Sequence, residues 1–131
     1  MNIYTIKDLN FKNSLIYQNY LRDNPSTGFL KIRAYTANEA IPIVGLKIIV
    51  SKDLDGNKVI FYEGITNNSG VIEKIALPAP KLDKNNTEVP NYTKYNIEAI
   101  TNTGTLNYVI NIYENVYVVQ AINILPKSGG Y

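Results

Sequence analysis

Apolar and polar residues alternate along most of the chain between residues 28 and 126. In the first such segment, Leu30, Ile32 and Ala34 fall on one face, and Lys31 and Arg33 fall on the other. A period of two residues is typical of a strand with one buried face. The alternation recurs, and we predict seven strands. The later six are marked by Leu46–Val50, 58–66, 71–76, Tyr95–Ala99, Leu106–Ile112 and Val116–Ile124.

The connections between these segments favour a sandwich. Asp55-Gly56 and the stretch 67–70 separate consecutive strands, and both contain the residues that hairpin turns prefer. The segment 77–93 holds three prolines and is expected to be a long crossover, because proline interrupts a strand ladder. Hairpins with one long crossover predict an all-β, seven-stranded Greek-key β-sandwich, with a small barrel as the alternative.

The chain divides into three predicted parts. Residues 1–27 form an N-terminal arm, residues 28–126 form the β-sandwich, and residues 127–131 form a flexible tail. A length of 131 residues suits a single domain with its own hydrophobic core.

The arm fits two conformations. A short helix that begins near Asp8 and ends before Pro25 would place Phe11 and Leu15 on one face. An extended donor strand fits the same apolar residues, because most of them are odd-numbered. Both alternatives stay open at this stage.

Composition removes several classes of function. The chain has no Cys and no His, which excludes disulfides, a thiolate nucleophile and the usual base near neutral pH. A net charge of +2 without a basic stripe predicts no nucleic-acid partner. No apolar stretch is long enough to cross a membrane. The first residues lack the features of a signal peptide, so we expect synthesis in the cytoplasm.

The acidic residues suggest no site. The segment Asp53–Asn57 has alternating oxygen ligands, but its glycine stands fourth where a calcium loop needs it sixth, which favours a plain hairpin turn. The glutamates are scattered singly, without the paired arrangement of a glycosidase. We therefore expect no metal, no cofactor, no catalytic residue and no enzymatic activity. The glutamates considered are Glu39, Glu63, Glu73, Glu88, Glu98 and Glu114.

Tyrosines offer one binding hypothesis. Tyr35, Tyr62, Tyr113 and Tyr117 are predicted to face away from the core, where an aromatic row can stack on sugar rings. Tyrosine is also simply favoured in strands. Gln120 falls in register with inward residues, so its amide is expected to bind a loop backbone or a ligand.

The arm offers an assembly hypothesis. Its apolar residues exceed what a free tail exposes to water. They either pack on the arm's own sandwich or add to an open sheet edge of a neighbouring copy, which would give a homo-oligomer or a filament. These residues are Ile3, Ile6, Leu9, Phe11, Leu15 and Ile16.

Several stretches resemble a transthyretin-like domain of the carboxypeptidase-regulatory type. The turn from Thr66 to Gly70 departs mildly from the family pattern, with Asn67 at the usual Asp position. The Leu77-Pro-x-Pro element and the closing stretch are most similar to the small clostridial, spore-associated branch. The matching stretches are Gly28–Ile32, Ile41–Ile48, Gly64–Val71, Ile75–Pro80, Tyr92–Ile97 and Gln120–Pro126.

The resemblance implies a non-catalytic role. It suggests a structural or assembly module of a bacterial envelope or spore surface, self-associating through the N-terminal arm. The alternative is a glycan- or peptidoglycan-binding accessory domain. Cell-wall or spore-coat components are the implied partners, and deposition on the spore surface is the implied destination.

Overall fold

The computed structural model describes residues 1–36, 41–83, 85 and 90–125, and these form nine strands and two helices. The predicted tail 127–131 lies outside the described residues. In chain order the elements are β1 (Ile3–Thr5), α1 (Leu9–Lys12), α2 (Leu15–Asp23), β2 (Ser26–Thr36), β3 (Ile41–Pro42), β4 (Lys47–Leu54), β5 (Asn57–Ile65), β6 (Val71–Ala79), β7 (Thr93–Thr101), β8 (Gly104–Ile112) and β9 (Tyr117–Asn123).

The strands form two sheets. The larger sheet has the order β1-β5-β4-β7-β8, and β1 runs parallel to β5. In the smaller sheet, β2 pairs with β6 on one side and with β9, in parallel, on the other, while β3 pairs with the end of β2. The predicted all-β architecture is confirmed. The predicted count of seven strands is not, because the described residues also include the short strands β1 and β3.

The core lies between the two sheets. Leu30 and Ile32 of β2 are fully buried, and they face Ile48, Val50 and other inward residues of the larger sheet. Burying one such aliphatic side chain stabilises the fold by about 1.5–3 kcal/mol. The apolar positions of the alternating sequence pattern are therefore the inward-facing positions of the strands.

The N-terminal residues contain both a strand and helices. Asn13 caps the end of the first helix. Ser14 caps the start of the second, because its hydroxyl accepts a hydrogen bond from the Tyr17 backbone N–H. Phe11, Tyr17 and Tyr20 are buried in the same core as the sandwich. The arm of this copy thus packs on its own sandwich. Neither helix is long and apolar enough to cross a membrane.

The segment between β4 and β5 is a tight hairpin turn. Asp55 and Gly56 both have positive φ, 52° and 79°, which suits the turn that closes a twisted hairpin. The Gly56 N–H donates to the Asp53 carboxylate over 2.9 Å. The turn thus uses one of the oxygens considered for calcium, and the described residues contain no acidic cluster that would hold a metal ion.

Candidate functional site

A bulge in the larger sheet decides which β5 side chains face outward. Val50 pairs with Tyr62 and Ser51 pairs with Ile60, so Phe61 is the extra residue on β5. Phe61 is buried and Tyr62 packs against the core beside it. Bulges re-aim side chains in this way and are frequent near functional sites.

The outer face of the larger sheet carries a polar cleft of about 360 Å³. Four neighbouring strands, β5, β4, β7 and β8, contribute to its walls, together with the first residue of the chain. The lining includes both signs of charge, amides and a hydroxyl. These residues are Met1, Ser51, Lys52, Asp53, Lys58, Asn96, Glu98, Asn107, Tyr108 and Val109.

An ion pair crosses this cleft. The Lys58 Nζ lies 2.5 Å from the Glu98 Oε1, and the two side chains are only 28% and 22% exposed. Lys58 belongs to β5 and Glu98 to β7, so the pair bridges the intervening strand β4. A charge-assisted hydrogen bond is stronger than a neutral one, and partial burial reduces its screening by water.

Uncharged polar groups surround the pair. Asn96 of β7 is the register partner of Ser51, and Asn107 of β8 is the register partner of Glu98. The Ser51 side chain is almost fully buried. Amides and hydroxyls both donate and accept hydrogen bonds, so the cleft presents mixed hydrogen-bonding capacity beside its charges.

Lys52 is a cleft residue whose pKa is perturbed by its surroundings. Burial lowers the pKa of its ammonium, and nearby Lys94 lowers it further while Asp53 opposes the shift. Its Nζ donates to the Lys94 carbonyl oxygen over 2.8 Å and lies 5.8 Å from the Tyr95 ring centroid. The Lys52 ammonium is thus bound to Lys94 and Tyr95, while Lys58 and Glu98 form the ion pair of the cleft.

The structure scatters the four tyrosines predicted to face outward. Tyr35 lies beside the Arg33 guanidinium, and Tyr117 stacks on Phe29, both on the smaller sheet. Tyr62 packs against the core because of the β5 bulge, and Tyr113 contacts Tyr92. The four therefore do not form one row. Their glycan-contact role stays a prediction. The tyrosines concerned are Tyr35, Tyr62, Tyr113 and Tyr117.

The residues predicted for assembly divide by burial. Phe11 is buried in the core, and Ile6 and Ile16 are half-buried against it. The remaining three are exposed. Their role in assembly stays a prediction. The exposed members are Ile3, Leu9 and Leu15.

The described glutamates each have a polar partner. Glu63 pairs with Lys47 over 3.3 Å and Glu73 pairs with Lys31 over 3.6 Å. Glu114 accepts from the Ser26 hydroxyl and from the Leu82 N–H, each over 2.9 Å. Glu39 and Glu88 lie outside the described residues. Gln120 is half-buried and donates to the Ala121 carbonyl oxygen over 2.9 Å. Ala121 is the next residue of the same strand, so this bond is not the predicted contact with a loop backbone.

Sequence reasoning missed the Lys58–Glu98 pair. Lys58 is next to buried Val59, and Glu98 is next to buried Ile97. The outward direction of both side chains could therefore be predicted from the sequence. The missing information was the order of the strands. Without it, two residues 40 positions apart carry no sign of contact.

Solved structures give the comparison that bears on this fold, since no protein-family model and no curated protein matches the chain. The chain is similar to Klebsiella pneumoniae 5-hydroxyisourate hydrolase, with 17% identity, a TM-score of 0.54, and coverage of 77% of this chain and 92% of the hydrolase. It is also similar to (S)-allantoin synthase, with 11% identity and a TM-score of 0.54, covering 86% of this chain. The chain spans 45% of that synthase's length. The fold is transthyretin-like.

These neighbours correct the functional expectation. Both are named as enzymes. The expectation of a non-catalytic structural or assembly module, with a glycan-binding accessory domain as its alternative, is therefore contradicted, and so is the expectation of no enzymatic activity. That reasoning took the transthyretin-like fold as a mark of accessory modules, whereas one fold carries many functions. Identities this low establish the fold, and the activity has to be argued from the site.

Proposed function

We propose that the protein binds a small polar carbonyl compound in the cleft of the larger sheet and hydrolyses it. Glu98 would act as the general base and Lys58 would stabilise the developing oxyanion. The observation that carries this proposal is the ion pair between these two residues, 2.5 Å long and largely withdrawn from water. Such a cleft with convergent polar groups is the default site for a small molecule.

The cleft suits a ligand of metabolite size that carries amide-like groups. Its volume of about 360 Å³ falls at the lower end of ordinary ligand sites. Asn96 and Asn107 offer both donors and acceptors to N–H and C=O groups of a ligand. Lys58 adds a cation for a carbonyl oxygen or an anionic substituent. We infer a substrate with several hydrogen-bonding groups and no long apolar part.

The hydrolytic step uses the two charged residues in opposite roles. The Glu98 carboxylate takes a proton from a water molecule, and the water oxygen forms a bond to the substrate carbonyl carbon. The carbonyl oxygen becomes an oxyanion, which the Lys58 ammonium stabilises. The bond from the carbonyl carbon to the leaving nitrogen or oxygen then breaks, and Glu98 returns the proton to that leaving atom.

The remaining composition of the chain supports this division of roles. With no His and no Cys, acid–base chemistry falls to carboxylates, lysines, tyrosines and hydroxyls. Burial raises the pKa of Tyr108 at the cleft wall, so this tyrosine stays protonated and is no candidate for the base. The fold supports the proposal only in general terms, because proteins named as a hydrolase and a synthase share it.

The test compares variants of the Lys58–Glu98 ion pair with variants of a second ion pair, Lys47–Glu63. Turnover is measured for the wild type, Glu98→Gln and Lys58→Met, beginning with 5-hydroxyisourate because a structural neighbour is named for it. We expect each cleft variant to lose about 10²–10⁴-fold in kcat. Glu63→Gln and Lys47→Met are the controls, since that pair lies on the same sheet outside the lined cleft.

Three results would reject the proposal. The first is a wild-type protein that neither turns over nor binds cyclic amides, as judged by NMR shifts at Ser51, Asn96 and Asn107. The second is turnover that Glu98→Gln leaves intact. Equal losses in the cleft and control variants would also reject it, because they would indicate a general effect of surface charge.

We also propose a source and a location, which rest on the sequence resemblance alone. These are a clostridium-like spore former, synthesis in the cytoplasm, deposition on the spore surface, and contact there with cell-wall or spore-coat components. Antibody detection in fractionated spores of the source organism tests this. A signal confined to the mother-cell cytoplasm would reject it.

A further inference from the structure

Strand β9 has an unused edge among the described residues. It pairs with β2 and with no other described strand. The carbonyl oxygen of Val116 accepts from the Phe29 N–H, and the N–H of Ile124 donates to the Tyr35 carbonyl oxygen, each over 3.0 Å. In a strand, successive residues direct their backbone groups to opposite sides, so the even-numbered residues from 116 to 124 all face β2.

The odd-numbered residues of β9 therefore point their N–H and C=O groups to the open edge. They are Tyr117, Val119, Ala121 and Asn123, and all four are exposed. The Gln120 side chain donates to the carbonyl oxygen of Ala121. This bond is consistent with the Ala121 carbonyl oxygen pointing away from β2. It occupies one hydrogen-bond acceptor of the edge.

This edge lacks the devices that normally keep edge strands apart. Natural edges carry charged residues, prolines or bulges that prevent pairing with another chain. Residues 116–125 contain no charged residue and no proline. Val119, at the middle of the edge, is 56% exposed. Within the part of the chain that the structure describes, the strand thus offers an edge seven residues long that no other strand pairs with.

We propose that β9 pairs antiparallel with β9 of a second copy, about a two-fold axis at Gln120. In this register Tyr117 meets Asn123 of the second copy, and Val119 meets its Ala121. Every outward-facing residue thus meets an outward-facing residue. Four such pairs exchange two bonds each, which gives about eight main-chain hydrogen bonds.

The absence of charge favours a second copy as the occupant. A two-fold axis sets each strand against itself, so an edge with charges of one sign would bring like charges together. The uncharged β9 escapes this penalty. The Lys74 Nζ lies 5.9 Å from the ring centroid of Tyr117, which in this register meets the uncharged Asn123 of the second copy. Lys31 and Arg33 lie on β2, one strand inward. Across the axis they are about three strand spacings, ~14 Å, from their counterparts, beyond the screening length of ~8 Å at physiological salt.

Sedimentation velocity of the full chain over a wide concentration range tests the proposal. We expect a reversible dimer of twice the 14.7 kDa chain mass. Val119→Lys should shift the protein to monomer at every concentration, without a change in melting temperature. Val44→Lys is the control, because Val44 is the same residue type and is also 56% exposed. A wild type that stays monomeric overturns the proposal, as does a dimer that Val119→Lys leaves intact.

Hydrogen exchange separates this pairing from other contacts. The amides of Tyr117, Val119, Ala121 and Asn123 should become protected as concentration rises, while the even-numbered amides between them are protected throughout. A monomer with all these amides protected would show an edge covered by its own chain, and it overturns the proposal. A filament overturns it as well, because a two-fold contact closes after two copies.

Discussion

Replacing Tyr95 by Phe should cost more stability than replacing its hydrogen-bond partner Tyr20, although both changes remove one hydroxyl. The Tyr20 hydroxyl lies 2.7 Å from the Tyr95 hydroxyl, which lies 2.5 Å from the Pro78 carbonyl oxygen. A carbonyl oxygen only accepts, so Tyr95 must donate to Pro78. Because the Tyr95 hydroxyl proton is used in this bond, the Tyr20 hydroxyl must donate to the Tyr95 oxygen. The direction of this chain is thereby fixed.

The direction of these two hydrogen bonds determines how much stability each substitution costs. Tyr95→Phe leaves a buried donor on Tyr20 and a partly buried acceptor on Pro78, each without its partner. Each such group costs about 1–3 kcal/mol. The sum is about 2–6 kcal/mol. Tyr20→Phe leaves Tyr95 still donating to Pro78, so it removes one bond and strands no donor. That change should cost about 0.5–1.5 kcal/mol.

Urea unfolding followed by circular dichroism measures both costs, with the m-value as a check on two-state behaviour. The double variant is decisive. Tyr20→Phe removes the stranded donor that Tyr95→Phe creates, so the double variant should be no less stable than Tyr95→Phe alone. Equal single costs, or costs that add in the double variant, would refute the direction of the chain and the docking of α2 through it.

Two further results are expected. Phe11→Ala should lower the free energy of unfolding by about 3–5 kcal/mol and Leu15→Ala by under about 0.5 kcal/mol, because Phe11 is 5% exposed and Leu15 is 75% exposed. Equal losses in thermal unfolding would show that the arm does not dock on its own sandwich. Burial raises the pKa of the two linked tyrosines above the unfolded value, so their stabilising contribution is complete below about pH 10 and is lost at higher pH. The initial loss should be about 1.4 kcal/mol per pH unit for each tyrosine. Tyr20→Phe should lower the slope of the alkaline unfolding curve by about that amount and leave the rest, because burial also raises the pKa of Tyr17, Tyr62 and Tyr108.

The long strands could be predicted from the sequence because their burial is periodic. Leu30, Ile32 and Ala34 alternate with polar residues, and the structure buries all three. Strands β1 and β3 could not be predicted, since three and two residues are too short to show a period. Their conformation depends on the strand that each one meets, β5 for the first and β2 for the second.

The arm shows a different limit. Its apolar spacing was compatible with a helix and with a strand, and residues 1–27 contain both. The deciding signals were two capping residues. Asp8 accepts from the Asn10 N–H and Ser14 accepts from the Tyr17 N–H, so each begins a helix. Sequence reasoning used Asp8 but overlooked Ser14, which divides the helical segment into α1 and α2.

The candidate site depends on strand order, which local pattern does not contain. Lys58 and Glu98 come together because β4 lies between β5 and β7. The bulge at Phe61 is equally hidden, because a bulge adds one residue without disturbing the apolar composition. Outward direction was therefore predictable for these charges, whereas their contact was not.

The cleft and the β9 edge lie on different sheets, so their functions can be separated by experiment. The cleft is on the outer face of the larger sheet, and β9 belongs to the smaller one. Pairing through β9 leaves Lys58 and Glu98 of both copies accessible. Val119→Lys should therefore abolish the dimer and keep full turnover, while Glu98→Gln should abolish turnover and keep the dimer. If both variants lose both properties, the two surfaces are coupled, and either the cleft or the edge has been assigned the wrong role.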